Sequence, residues 1–318
     1  MQPVYVTAPA KLNLFLHITG KRADGYHLLE SMVVFTDLAD TLTVEASDTL
    51  SLYVEGAFAK GSGEVYDNLV LRAARLLQPH TTHGARITLT KNIPVGAGLG
   101  GGSADAAATL RVLNAFWGLH LEDAALLALA PQLGADVAMC LHSRPLIASG
   151  VGEVIAPLAH PLPALHAVLV YPRTKLLSKD VYAALLPSPD APKSALTSPK
   201  GEVTLVSPSE YKTHHGLTSP LGEVEFLLRN SGEGFPAFIH QLTSTRNDLQ
   251  HPATTLSPEV VAVLHAMEAA LPMPALVRMT GSGSCCFALF EHTDHAADYV
   301  RCLAKTHPNW WVKAAAIE

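Results

Sequence analysis

The sequence predicts a mixed fold, α/β or α+β, built in two layers and divided over about two domains. Three observations predict it. The chain opens with strand alternation; residues 95–110, VGAGLGGGSADAAATL, place five glycines directly before an alanine-rich helix; and both halves alternate strand signals with helix signals. The length of 318 residues fits about two domains, and 48% apolar against 16% charged residues supplies ample core.

In VYVTAPAKLNLFLHIT, Leu12, Leu14 and Leu16 alternate with Lys11, Asn13 and Phe15, which is strand periodicity. Asp24-Gly25 marks a turn, and residues 30–46 read as two further strands. A helix is expected from Asp67, where an Asx start precedes leucines at helical spacing. Residues 84–96 read as a strand running into the glycines. The next helix spans 103–118, with Ser103 as N-cap, Leu110, Leu113 and Phe116 as its apolar stripe, and Gly118 as its stop. Another helix is expected over 121–134.

The chain changes character after about residue 160, which divides it into domains of residues 1–160 and 161–318. A buried strand at 161–172 and a short helix at 177–186 come first. Residues 187–245 are rich in Pro, Ser, Thr and Gly, and LTSPKGEV at 196–203 recurs as LTSPLGEV at 217–224. Two copies without apolar faces cannot stack as a solenoid, so an inserted, disordered surface segment is expected. A helix at 257–271, a strand, glycine turn and strand at 275–291, and a helix at 295–307 complete the pattern.

Composition narrows the function. A net charge of -6 lacks the basic footprint of a nucleic-acid binder. Cys140, Cys285, Cys286 and Cys302 show no C-x-x-C spacing, which fits a reduced, cytoplasmic setting. Lys11 and Asn13 interrupt the apolar start, so no signal peptide is read, and no run approaches the ~20 apolar residues of a membrane span. Sixteen histidines show no metal-ligand spacing, and no G-x-S-x-G elbow is present.

Four features could carry chemistry. Gly96, Gly98, Gly100, Gly101 and Gly102 lack Cβ atoms, so their amides can face a bulky anion, and the following helix adds its own free amides and positive dipole end. A flexible turn capping a packing helix is the alternative. Lys11 between leucines could neutralise a phosphate or activate a hydroxyl, or simply face outward. Asp136, alone in LGADVAM, could take a proton from an attacking hydroxyl, as phosphoryl transfer to an alcohol requires, or cap the next helix. Tyr26 and His27 could hold a base by stacking and hydrogen bonding, or could pack. The TGSGSCC turn at 280–286 could offer amides to a ligand or serve as a hairpin.

PAKLNLFLHITGKRADGYHLLESMV, PVGAGLGGGSADAAATLRVLN, LGADVAM and MTGSGSCCFALF together resemble the successive motifs of the GHMP kinase superfamily. The resemblance covers about residues 5–185 and 247–310. AKLNLFL with RADGYH and GLGGGSADAA is similar to one branch, which is distinct from the homoserine, mevalonate and galactose kinases. That branch phosphorylates the 2-hydroxyl of 4-diphosphocytidyl-2-C-methyl-D-erythritol in non-mevalonate isoprenoid synthesis.

The resemblance implies an α+β fold of two domains with the active-site cleft between them, and ATP with Mg2+ as cofactor. It also implies a small-molecule substrate rather than nucleic acid or membrane, and a monomer or weak homodimer. Lys11 and Asp136 match the catalytic pair. Asn68, Leu69 and Lys91 match positions near the nucleoside, and Pro94, Gly96, Gly98, Leu99, Gly100, Gly101, Gly102, Ser103 and Ala104 lie in the stretch that wraps the phosphates. Asn13, Tyr26, His27 and Tyr182 match positions that hold the cytidine diphosphate. Glycines stand where many members carry two serines in the loop, so no metal ligand is assigned, and Ala138 stands in place of a common proline. A catalytically silent nucleotide sensor is the other reading, although it would need neither Lys11 nor Asp136.

Overall fold

A computed structural model of the chain describes residues 2–158, 160–185, 204–205 and 234–318. Two sheets pack face to face, and helices cover the outer face of each. The first pair of strands, β1 (Val4–Lys21) and β2 (His27–Ser47), runs antiparallel around the expected Asp24-Gly25 turn. Where two strands were expected in 30–46 there is one. Its first part pairs with β5 (Leu146–Gly150) and its last part with β4 (Gly84–Thr90), so it passes from one partner to the next without a break. With β3 (Leu50–Glu55), β6 (Val154–Pro157) and β8 (Thr204–Leu205), the sheet runs β3-β4-β2-β5-β6-β8, and β1 lies beside β2.

Helices α1 (Leu69–Leu77), α2 (Gly101–Phe116), α3 (Asp123–Leu129) and α4 (Val137–His142) complete the first domain. The alanines of α2 serve packing: Ala106, Ala107, Leu110 and Leu113 are fully buried with Val70, Ala74 and Leu77 of α1 and with Leu42, Ile87 and Leu89 of the sheet. Small side chains let helix and strand backbones approach closely while Leu110 and Leu113 fill the remaining volume.

The second sheet runs β11 (Trp311–Ala316), β7 (His166–Tyr171), β10 (Cys286–Phe290), β9 (Leu276–Met279), all antiparallel. Its outer face is covered by α5 (Ser178–Ala183), α7 (Gln250–Leu256), α8 (Pro258–Ala269) and α9 (Thr293–Thr306). Its inner face meets β1 and β2 in a shared core, in which Leu12, Leu14, Phe15 and Met32 lie against Leu169, Phe287 and Leu289. That packing explains why β1 is buried on both faces despite its alternating sequence.

The stretch 187–245, expected to be disordered, ends in a helix, α6 (Phe235–Thr243). Phe235, Phe238, Ile239 and Leu242 recur at helical spacing and enter the shared core, a periodicity hidden by the Pro- and Gly-rich composition around it. Thr204 and Leu205 pair with Val154 and Ile155 of β6. The remainder of that stretch, including both repeat copies, lies outside the described residues.

Arg278 of β9 ties these parts together. Its guanidinium is buried without a carboxylate partner among the described residues and donates to the carbonyls of Leu14 (2.7 Å), Leu242 (3.1 Å) and Thr245 (2.7 Å) and to Thr245 Oγ1 (2.9 Å). Burial pulls its pKa down to about 10. Replacing Arg278 by methionine orphans those acceptors. Urea unfolding of Arg278→Met is expected to show a loss of about 2–4 kcal/mol.

Candidate active site

The cleft between the domains holds two cavities. One, of about 400 Å³, is walled by the glycine stretch, by Asn68, Leu69 and Lys91, and by Gly281 and Ser282 from the far domain. The other, of about 650 Å³, is walled by Asn13, Tyr26, His27, Met139 and Tyr182. Lys11, Ser103, Asp136, Ser178, Gly281 and Ser282 line both.

Left-handed glycine backbone builds the first cavity. Gly96, Gly98 and Gly100 take φ of +76°, +84° and +67°, and the residues between them, Ala97 and Leu99, bury their side chains in the shared core. Two carbonyls of the loop are claimed from opposite sides: Lys11 N donates to Leu99 O and Cys285 N to Ala97 O, each at 3.0 Å. Approach is too close for any side chain. A Cβ at Gly98 would stand 2.8 Å from the Gly283 carbonyl oxygen, and one at Gly100 would stand 2.5 Å from Lys11 Cγ. The glycines thus make a closely packed, hydrogen-bonded turn between two domains.

The helix also begins earlier than its alanines suggest. Gly100 is the left-handed residue before it and α2 starts at Gly101, which places Ser103 inside the first turn instead of at the cap. Ala104 is the one loop residue that leaves the cavity wall: its amide already donates to Gly100 O at 2.9 Å, and its side chain is buried among the helices. Asn68 lies at the wall and caps α1 by accepting from Val70 N at 2.9 Å.

Lys11 and Asp136 meet where the cavities join. Register shifts at Pro9/Lys11 and Asn13/Phe15 bend β1 on either side of Lys11 and Asn13, the usual effect of bulges, which re-aim side chains. Lys11 Nζ donates to Asn13 Oδ1 at 2.8 Å and lies 3.2 Å from Asp136 Oδ2. Asn13 in turn donates to Ser31 Oγ at 2.7 Å, and its amide donates to Thr280 Oγ1 at 2.8 Å. Asp136 precedes α4 yet makes no side-chain cap bond, so the capping alternative fails. Its side chain is 36% exposed while that of Lys11 is 7% exposed, so the carboxylate faces the cleft and the cation is held behind it.

The second cavity has an aromatic wall. His27 and Tyr182 stack with ring centroids 5.4 Å apart and planes at 27°, whereas Tyr26 stands 65% exposed at the rim. Burial and the nearby Lys21 charge lower the His27 pKa, keeping the imidazole neutral at neutral pH. Burial and the Asp136 charge push the Tyr182 hydroxyl up to about 12.

Sequence reasoning missed a buried ion cluster at the back of the first cavity. Lys91 Nζ donates to Asp40 Oδ2 and, at 2.6 Å, to Asp105 Oδ2, with all three side chains nearly excluded from solvent. The available signal was Asp105 alone among alanines in SADAAA, and Asp40 inside an apolar strand. It also missed Ser178, whose hydroxyl meets that of Ser282 in the 280–286 turn at 2.7 Å.

The N-terminal domain model of the GHMP kinases matches residues 68–144, and the C-terminal model matches 224–309. The chain is 42% identical over 306 residues, 96% of its length and 95% of the relative's, to a 4-diphosphocytidyl-2-C-methyl-D-erythritol kinase of Ruegeria pomeroyi. It is 41% identical over 316 residues, 99% and 98% of the two lengths, to a protein of that name from Parvibaculum lavamentivorans. A crystal structure of a 4-(cytidine 5'-diphospho)-2C-methyl-D-erythritol kinase superposes with a TM-score of 0.71 at 33% identity, covering 99% of this chain and 100% of that one. Homoserine kinase from Cytophaga hutchinsonii shares the fold, with a TM-score of 0.68 at 20% identity over 100% of this chain and 95% of that one.

Two glycines separate strain from clash. Gly25 has φ +92° with nothing within 4 Å of a Cβ, whereas Gly98 has φ +84° and meets backbone oxygen. Thermal unfolding is expected to show about 1 kcal/mol lost in Gly25→Ala and about 3 kcal/mol lost in Gly98→Ala.

Proposed function

The chain belongs to the 4-diphosphocytidyl-2-C-methyl-D-erythritol kinase family of GHMP kinases, and from that membership and the cleft's geometry we propose that it transfers the γ-phosphoryl group of ATP to the 2-hydroxyl of 4-diphosphocytidyl-2-C-methyl-D-erythritol. This is a step of non-mevalonate isoprenoid synthesis. One observation carries the reading: Lys11 and Asp136 line both cavities and stand at their junction, where a donor in one would meet an acceptor in the other. Residues 1–160 then supply the ATP domain and residues 161–318 the opposite wall.

In this reading the nucleotide's phosphates lie against residues 94–103, where loop and helix amides stabilise charge on the transferring group. Asn68 and Leu69 lie toward the nucleoside. Lys91 contributes through its ion cluster, because its ammonium is already shared by two carboxylates. His27 and Tyr182 offer flat apolar faces to a cytosine, and Tyr26 closes the rim.

Asp136 takes the proton of the substrate hydroxyl as its oxygen bonds to the γ-phosphorus, and the bond to the ADP leaving oxygen breaks. Lys11, fixed by Asn13, aims the carboxylate and offsets charge gathering on the transferred group. Mg2+ accompanies ATP in this reading. Among the described residues no three His, Cys, Asp or Glu side chains stand together as a metal site.

The test is ADP release measured with ATP and the cytidine substrate. Asp136→Asn is expected to keep its KM for ATP while kcat falls by about 10²–10⁴-fold. Turnover close to wild type would remove Asp136 from the role. In the same assay Tyr182→Ala is expected to raise the KM for the cytidine substrate by about tenfold, because base–aromatic stacking contributes ~1–3 kcal/mol.

A further inference from the structure

The buried cluster carries a charge that the fold does not balance. Asp40 and Asp105 share one ammonium, so with both ionised the cluster is net negative. It sits behind the turn that the proposed function gives to phosphate. Asp105 is the fifth residue of α2, is 2% exposed and lines the nucleotide cavity. A buried anion at that place offsets the positive end of the α2 dipole and repels an incoming phosphate.

The two carboxylates are not equivalent. Asp40 is held by three donors: the Lys91 ammonium and the amides of Asn92 (2.5 Å) and Ile93 (2.8 Å). Asp105 is held by the ammonium through Oδ2, with the Asp40 carboxyl beside it, and its Oδ1 is buried with no hydrogen-bond partner among the described residues. Hydrogen bonds to the ionised form favour ionisation, so a proton added to this cluster goes to Asp105.

Among the described residues the surrounding elements supply no second cation to Asp105. From β1, Lys11 is engaged by Asn13 and Asp136. The facing side of α1 is Val70, Ala73 and Ala74, and its arginines bond outward to the carbonyls of Gln132 and Tyr66. From α4 comes the Cys140 thiol, which burial holds neutral, and Arg111 further along α2 is bonded to the carbonyls of Cys140 and Leu141.

We propose that Asp105 is a proton-holding positioning residue of the nucleotide site: phosphate arriving at the glycine turn draws a proton from solvent onto the Asp105 carboxyl, which neutralises the cluster beneath the first turn of α2. The inference rests on the nucleotide half of the proposed function. Its consequence is proton-linked binding, in which nucleotide affinity is highest where Asp105 is already protonated. The affinity falls by up to about tenfold per pH unit above its titration in the free protein. Burial, opposed by Lys91 and reinforced by Asp40, pushes the Asp105 carboxyl up to about 7, so the effect falls near neutrality.

The test is calorimetric titration of the full chain with ADP between about pH 6 and about pH 9, in buffers of differing ionisation heat. The wild type is expected to take up a fraction of a proton per ADP around neutrality. Asp105→Asn keeps an acceptor for Lys91 and mimics the protonated form, so it is expected to lose that fraction and flatten the pH dependence of affinity. Subtracting the two cancels the titration of ADP itself. Equal uptake and parallel pH profiles in a folded Asp105→Asn protein would overturn the inference while leaving the nucleotide site intact. Failure of ADP to bind the wild type would overturn both. Infrared difference spectra of the wild type on adding ADP provide a reading independent of the variant. A rising carboxylic-acid C=O band supports the proposal, and no such band overturns it.

Discussion

Two backbone hydrogen bonds, from Lys11 N to Leu99 O and from Cys285 N to Ala97 O, hold the glycine turn from opposite sides of the cleft. Much of the site depends on them. They require a backbone that reverses at alternate residues, which only glycine does cheaply at φ near +80°. They bring Gly98 within van der Waals contact of Gly283, so the second domain becomes part of the wall of the first cavity. The same turn presses Gly100 against the stem of Lys11, fixing how far the ammonium can reach toward Asp136. The position of the reactive pair is therefore tied to the geometry of the turn.

Within the first domain β1 and α2 were legible because their periodicities are clean: leucines alternate in β1, and Leu110 and Leu113 recur along α2, whereas β3, β5 and β6 were not read. Length and composition already indicated two domains, but Lys11 and Asp136 stood out only through several motifs taken together, since each alone had an ordinary alternative. Two boundaries misled. The long β2 looked like two strands because Asp37 and Asp40 break its apolar run, and Asp40 is in fact the buried partner of Lys91. Helix α6 was lost in a composition suited to loops, although Phe238 and Leu242 alone would have marked a buried face. Pairings such as Lys91 with Asp105, or Arg278 with Leu14, were not legible, because they join residues that only the fold brings together.

Both lysines that line the first cavity are paired in the structure, Lys11 with Asp136 and Lys91 with two carboxylates. A triphosphate bound there cannot rely on free ammonium groups from the wall. Its charge must be met by oriented amides of the turn and the start of α2, with any metal ion it brings. Amides fixed in place need no reorganisation as charge shifts during transfer, which favours the transition state over the bound ground state. An ammonium already paired attracts the substrate less, yet it holds a carboxylate in one orientation. Lys11 thus suits aiming Asp136 better than capturing a triphosphate, and the excess negative charge at Lys91 is the part of the wall on which the proposed proton uptake would act.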